Sequence, residues 1–304
     1  MSSTTETRRR PRYLSDNPGF LAGLFMSPAV IYILALVGFP FILAIVYSFT
    51  DISTGNPELD FVGLDTFRAV LADPVFRQAL WNTFWFAVVA NLLVVVFATA
   101  LAEVLTRDFK GKWLVRFLVL LPWVAPVSLA TVTWLWTLDS IFSPIDWVLR
   151  ELGLITENMY WLGRPGLARL SVVAVQAWRV IPLAAVIIMA GRMAIPGEID
   201  DAVAVDGAGP WRRMFQVTIP LLAPIIAVAV LFGVILTISD MSVVYVLTRG
   251  GPTNSTQVLS TWAFIKGIEG GALGQGAAVA LFLLPVLIAI TAVVLRLARR
   301  REVM

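Results

Sequence analysis

The side chains able to do chemistry in this chain are few. Among 304 residues there is no histidine and no cysteine. That removes imidazole bases, thiolate nucleophiles, disulfides and most transition-metal sites, so no metal site and no catalytic residue is expected. Carboxylates, hydroxyls, Arg, Lys and Tyr remain. Gln176 and Arg179 lie three residues apart inside an apolar run, and so share a helical face. Thr237 and Asp240 have the same spacing at the end of another such run. An unpaired Arg in hydrocarbon costs at least about 2.5 kcal/mol on insertion scales, so Arg179 must face protein, water or a partner. Arg179 would suit an anionic solute. Equally, Arg179 could pair with Asp240 or bond to helix carbonyls; both readings stay open. A third set, Asp201, Ala202, Asp206, Gly207 and Ala208, lies in a polar loop. There, carboxylates could accept hydrogen bonds or cap a helix, and small residues allow close approach.

The elements that must carry these groups are apolar and long. Hydrophobic residues make up 59% of the chain and charged residues 14%, against roughly half and about a quarter in soluble domains. Charge-free stretches run Asn17–Thr50, Gln78–Ala102, Phe117–Leu138, Met214–Ser239 and Gly270–Leu295, and Leu170–Gly191 is interrupted only by Arg179. Each has at least 22 residues, and about 20 in a helix cross a ~30 Å hydrocarbon core. Nothing shows the short alternating segments of barrel strands. The first stretch is too long, and too interrupted by Pro28 and Pro40, for a cleavable signal peptide. The expected fold is therefore all-α: a polytopic membrane protein of six transmembrane helices. Residues 1–16 form a polar N-terminal tail and 17–304 a single membrane domain.

Fifteen Lys and Arg fall on the side of the termini and seven on the other, which predicts that both termini are cytoplasmic. The loops 51–77, 139–169 and 240–269 then face outward. No Lys/Arg run is interleaved with exposed aromatics, so nucleic acid is not an expected partner. Of the Trp residues, Trp81, Trp85, Trp113, Trp123, Trp147 and Trp161 sit where an aromatic belt is expected, while Trp134, Trp136 and Trp178 lie deeper.

One cytoplasmic loop, about 192–220, is unlike a simple connection. Pro196 followed by Glu198, Asp200 and Asp201 is a helix-start pattern, since acids suit the positive end of the dipole. The helix can run to about Asp206, where Gly207 permits a turn. A second amphipathic segment carries Trp211, Phe215 and Val217, with Arg212 and Arg213 on another face, and Pro220 opens the next span. Most connections are about 4–6 residues, so a loop this long and helical is more than a connection.

Here the chain resembles a family, the membrane-spanning permeases of bacterial binding-protein-dependent ABC importers, in the carbohydrate-type branch that includes the maltose and glycerol-3-phosphate importers. The family's signature is E-A-A, then D-G-A after three residues, then I-x-L-P. This sequence has Asp201-Ala202-Val203, Asp206-Gly207-Ala208 and Val217-Thr218-Ile219-Pro220. Asp201 stands where Glu is usual, keeping the charge on a shorter arm. Phe61 to Arg68, Ala79-Leu-Trp-Asn-Thr83, Leu121-Pro-Trp123, Leu247-Thr-Arg-Gly-Gly-Pro252 and Gly276-Ala-Ala278 also look like that branch. The resemblance covers about residues 20–300.

It implies a non-catalytic permease in the bacterial inner membrane. Its partners would be a second six-helix permease in a heterodimer, two cytoplasmic ATPase subunits, an extracytoplasmic solute-binding protein and the lipid bilayer. No cofactor would be bound by this chain; ATP and Mg would sit on the partner ATPase. The loop would dock in a groove of that ATPase through Asp201, Ala202, Asp206, Gly207 and Ala208, and act as a stiff coupling lever. Alignment with the maltose-type relative places Gln176, Arg179, Thr237 and Asp240 on the path of a sugar or polyol-phosphate-like solute. Met241-Ser242 departs from the Phe-Asp often found there. A self-contained secondary transporter or channel is the alternative. It would need repeat symmetry or carboxylates at membrane depth, where only Glu103 and Asp240 lie. A membrane hydrolase would lack an obvious base. An importer of amino acids or metals is a sister reading that the Leu247–Pro252 element argues against.

Overall fold

The computed structural model describes residues 18–302; the expected tail at 1–16 lies outside them. Among the described residues the chain is helical, without strands beyond one isolated bridge between Thr50 and Phe61. Five helices are long and apolar enough to cross a membrane: Gly19–Ser48, Pro74–Thr106, Pro165–Met193, Pro210–Ser239 and Leu273–Arg296. They are the first, second, fourth, fifth and sixth spans. The third differs from the expected uninterrupted Phe117–Leu138. It is a pair, Lys112–Val124 and Val127–Thr137, bent by 96°. Pro126 supplies no N–H and forces Ala125 into an extended conformation (φ −62°, ψ 139°), so the helix stops and restarts in a new direction. The sixth span begins at Leu273 rather than Gly270, because the chain turns at Gly270–Gly271.

Two spans widen locally to π-helix, at Leu34–Gly38 and Met214–Thr218. Each widening ends two residues before a proline, Pro40 or Pro220. The ring presses on the carbonyl four residues back and offers no N–H to it, and the extra residue per turn relieves the clash without breaking the helix.

The second, fourth and fifth spans form the centre. Their contact is lined by Ala98, Ala102, Ala177, Ala184, Ala185 and Ala229, with Val94, Val180, Ile188 and Leu222 filling the remaining space. Small side chains let helix backbones approach closely, which is how association is driven where lipid is as apolar as the core. In its most apolar stretch the fourth span is 56% buried, against 0% for the first. The fourth span is therefore the most enclosed, and it carries Gln176, Arg179 and Arg192.

The segment after the fifth span folds back onto this centre. Asn82 donates to the carbonyls of Asn254 and Gln257 at 3.2 and 2.9 Å, Thr83 Oγ1 accepts from Leu259 N at 3.0 Å, and Arg169 Nε donates to the Ser255 carbonyl at 2.9 Å. Gly250 (φ +87°) must be glycine, because a Cβ there would lie 1.4 Å from Gln257 Oε1. Two stretches that carried the family resemblance, Ala79–Thr83 and Leu247–Pro252, thus belong to one stitched unit.

Candidate functional site

The first site lies between the fourth span and the end of the fifth. Arg179 Nη1 donates to Asp240 Oδ2, forming an ion pair. One turn away, Gln176 Nε2 donates to Thr237 Oγ1 at 3.3 Å, and that hydroxyl donates to the Gly233 carbonyl at 2.7 Å. The helix stops at Ser239 because Asp240 is extended (φ −88°, ψ 121°), and its Oδ1 accepts Ser242 N at 2.7 Å, opening the next short helix. All four expected path residues therefore meet, as two cross-span pairs. A cavity of about 20 Å³, room for about one water, lies among Gln176, Thr237, Asp240, Phe86 and Val244. Trp134 and Trp178 pack edge to face at 5.5 Å. Trp161, expected in the aromatic belt, has a structural bond as well: its Nε1 donates to the buried Asp146 at 2.7 Å.

The second site is the loop between the fourth and fifth spans. Its helix is Gly197–Val205, with Glu198 and Asp200 in the first turn. Gly207 follows at φ +66°, where the chain reverses toward Pro210. Asp201, Ala202, Ala204, Val205 and Asp206 are exposed. The side chains of Asp201 and Asp206 make no hydrogen bond or ion pair among the described residues, so their charges are free for a partner. Ala208 is half-buried and lines a pocket of about 320 Å³ with Glu103, Arg107, Trp211 and Arg213.

Behind the loop helix sits a charge network that sequence reasoning did not identify. Arg192, in the last turn of the fourth span, is 8% exposed. Its Nε donates to Glu103 Oε2 of the second span at 3.2 Å, and its Nη2 to Asp200 Oδ2 of the loop helix at 2.8 Å. Arg213, at the start of the fifth span, reaches Asp200 Oδ1 at 2.9 Å. Asp200 faces inward while its neighbour Asp201 faces out, since successive residues on a helix differ by about 100°. The available signal was an Arg at the end of an apolar run and an acid two turns later. Nothing local joins them to Glu103, 89 residues before Arg192.

Among the described residues, five continuous spans and one broken span, with a helical loop exposed at one end and paired polar groups inside, make a polytopic membrane bundle. Residues 95–303 match the family described as "Binding-protein-dependent transport system inner membrane component". The chain belongs to that family and is a permease component of an ABC importer. It is 30% identical over 295 residues to the sulfoquinovosyl glycerol transport system permease protein SmoG of Agrobacterium fabrum, covering 97% of this chain and 95% of that one. It is also 30% identical to the trehalose/maltose transport system permease protein MalF of Thermococcus litoralis, covering 93% of this chain and 95% of that one. A crystal structure of a bacterial alginate ABC transporter, in complex with an alginate pentasaccharide-bound periplasmic protein, shares the fold. Its TM-score is 0.79 at 20% identity, over 92% of this chain and 94% of that one.

Proposed function

We propose that this permease forms half of the path for a carbohydrate or polyol-phosphate-like solute, with ATP and Mg bound and hydrolysed on two separate cytoplasmic ATPase subunits. The observation that carries the proposal is the exposed loop helix, whose Asp201 and Asp206 charges have no partner among the described residues. The relatives transport sugar glycosides and disaccharides by name, which supports the solute class. A sister permease would complete the path, an extracytoplasmic binding protein would deliver the solute, and both termini would be cytoplasmic. In this reading Gln176, Arg179, Thr237 and Asp240 face the solute, and the loop residues Asp201, Ala202, Asp206, Gly207 and Ala208 dock to the ATPase.

Self-contained proton coupling has less support. It needs a carboxylate free to exchange protons at membrane depth. Both candidates are engaged, Glu103 by Arg192 and Asp240 by Arg179. The test is a mild-detergent pull-down of the tagged chain from its native membranes, with mass spectrometry of what accompanies it. Recovery of a soluble ATPase and a second multi-span chain is the expected result. Repeated recovery of this chain alone, under conditions that keep a known importer intact, would favour a self-contained transporter.

A further inference from the structure

We propose that Arg192 is a positioning residue for energy coupling: it fastens the loop helix to the second and fourth spans, so that a push on the helix moves the membrane core as one block. The inference rests on the ATP-coupled function proposed above.

The covalent links alone cannot transmit such a push. Only Ala194, Ile195 and Pro196 join the end of the fourth span to the loop helix. At the other end Asp206 to Gly209, including two glycines, lead to Pro210. A helix held by those two links alone would tilt on its hinges and leave the spans where they are. The ion pairs remove that freedom. Asp200 is gripped from both sides, by Arg192 of the span before the loop and by Arg213 of the span after it, at 2.8 and 2.9 Å. Arg192 then passes the connection to Glu103 of the second span at 3.2 Å. Four elements meet at two carboxylates and two guanidiniums, and a third guanidinium, that of the exposed Arg107, lies 3.9 Å from Glu103.

The residue type matters as well as the charge. A guanidinium offers separate N–H donors in a rigid planar fork, and here Nε serves one carboxylate and Nη2 another, on different elements. An ammonium is a single compact charge on a flexible stem and holds such a bridge poorly. Arg192 is nearly enclosed, with 9% of its side chain exposed, so water does not readily replace either bond.

The test uses the complete importer, with its ATPases, sister permease and binding protein, in proteoliposomes. Solute imported per ATP hydrolysed is measured together with ATPase co-purification. Arg192→Gln is expected to keep the ATPase bound and hydrolysing while import per ATP falls at least about tenfold. Arg192→Lys is expected to lie between that variant and the unaltered chain. Asp200→Asn, on the more open loop helix, is expected to show the same loss and serves where Arg192→Gln inserts poorly. A merely structural role would lower the amount of working complex, reducing uptake and hydrolysis together and leaving their ratio unchanged. That unchanged ratio, in either variant, overturns the inference. Absence of ATP-dependent import in the unaltered assembly would instead overturn the function on which the inference rests, and the inference with it.

Discussion

The fourth span carries two inward arginines, and the contrast between them separates the two tasks of the molecule. Arg179 has one ionic partner, Asp240, which also caps the helix Ser242–Leu247. Their side chains are 14% and 16% exposed, next to a Gln–Thr hydrogen bond and a small cavity. Among the described residues Arg192 has two carboxylate partners on two elements, one shared with Arg213 and the other within 3.9 Å of Arg107. A single pair can open when a solute hydroxyl or anion replaces one partner, since only one bond has to be exchanged. Opening the bridge means giving up two ionic contacts at once, to carboxylates on two different elements. The first arrangement suits a group that meets a passing solute. The second suits a joint that must not yield.

The sharpest way to break that contrast is to disturb the joint's lever without touching either arginine. Gly207 sits at φ +66° and proline is fixed near −65°, so Gly207→Pro must redirect the loop helix. Uptake is expected to fall by about 100-fold, with the chain still inserted in the membrane. Reconstituted uptake and the amount of chain in the membrane fraction are the measurements. Normal uptake would mean that the orientation of the loop helix is irrelevant, and the lever reading would fall.

A smaller effect is expected from Arg179→Ala. Removing one partner of an enclosed pair leaves Asp240 uncompensated and destabilises by about 3 kcal/mol. Thermal unfolding in detergent should report this, while ATPase co-purification stays normal. The double variant Arg179→Gln/Asp240→Asn removes both charges and should recover most of the lost stability. If uptake stays low in the double variant, the pair has a role in the solute path. Uptake restored along with stability would make the pair structural only and erase the distinction between the two arginines.

Much of this was legible from local pattern. Apolar runs and their breaks gave the spans, and Gly207 marked the reversal. The three-residue spacings of Gln176–Arg179 and Thr237–Asp240 gave two faces that do meet. Other features depend on distant contacts. Pro126 breaks the third span at 96°, yet Pro182 and Pro224 lie inside helices that continue. A proline's presence gives a possible break point, and the packing around it sets the angle. Asp200 and Asp201 are adjacent acids of one type. The family motif drew attention to Asp201, whereas the helix phase set by its start at Gly197 turned Asp200 to the core.

A third charge group, on the segment opposite the loop, should matter least and so calibrates the other two. Glu269 accepts from the Tyr245 hydroxyl and pairs with Arg249 Nη2 at 2.7 and 2.8 Å, with Arg249 also lying over the Tyr245 ring. The tyrosine hydrogen bond first, then Arg249, holds the Glu269 carboxyl below its ordinary value of 4.5, and donation to Glu269 raises the Tyr245 phenol above 10.0. A lowered carboxylate contributes above its unfolded value, and the contribution is lost as pH falls through the folded one. A raised phenol contributes below its unfolded value, and the contribution is lost as pH rises through the folded one. Between about pH 5 and pH 9 both contributions are present in full. Hydrogen exchange of residues 245–269, corrected for its intrinsic pH dependence, should therefore show constant protection across that range. The pair is solvent-screened, so Glu269→Gln should loosen the segment locally while changing uptake less than either arginine variant. A loss of uptake as large as that of Arg179→Ala would overturn this ranking and place this segment among the working parts of the permease.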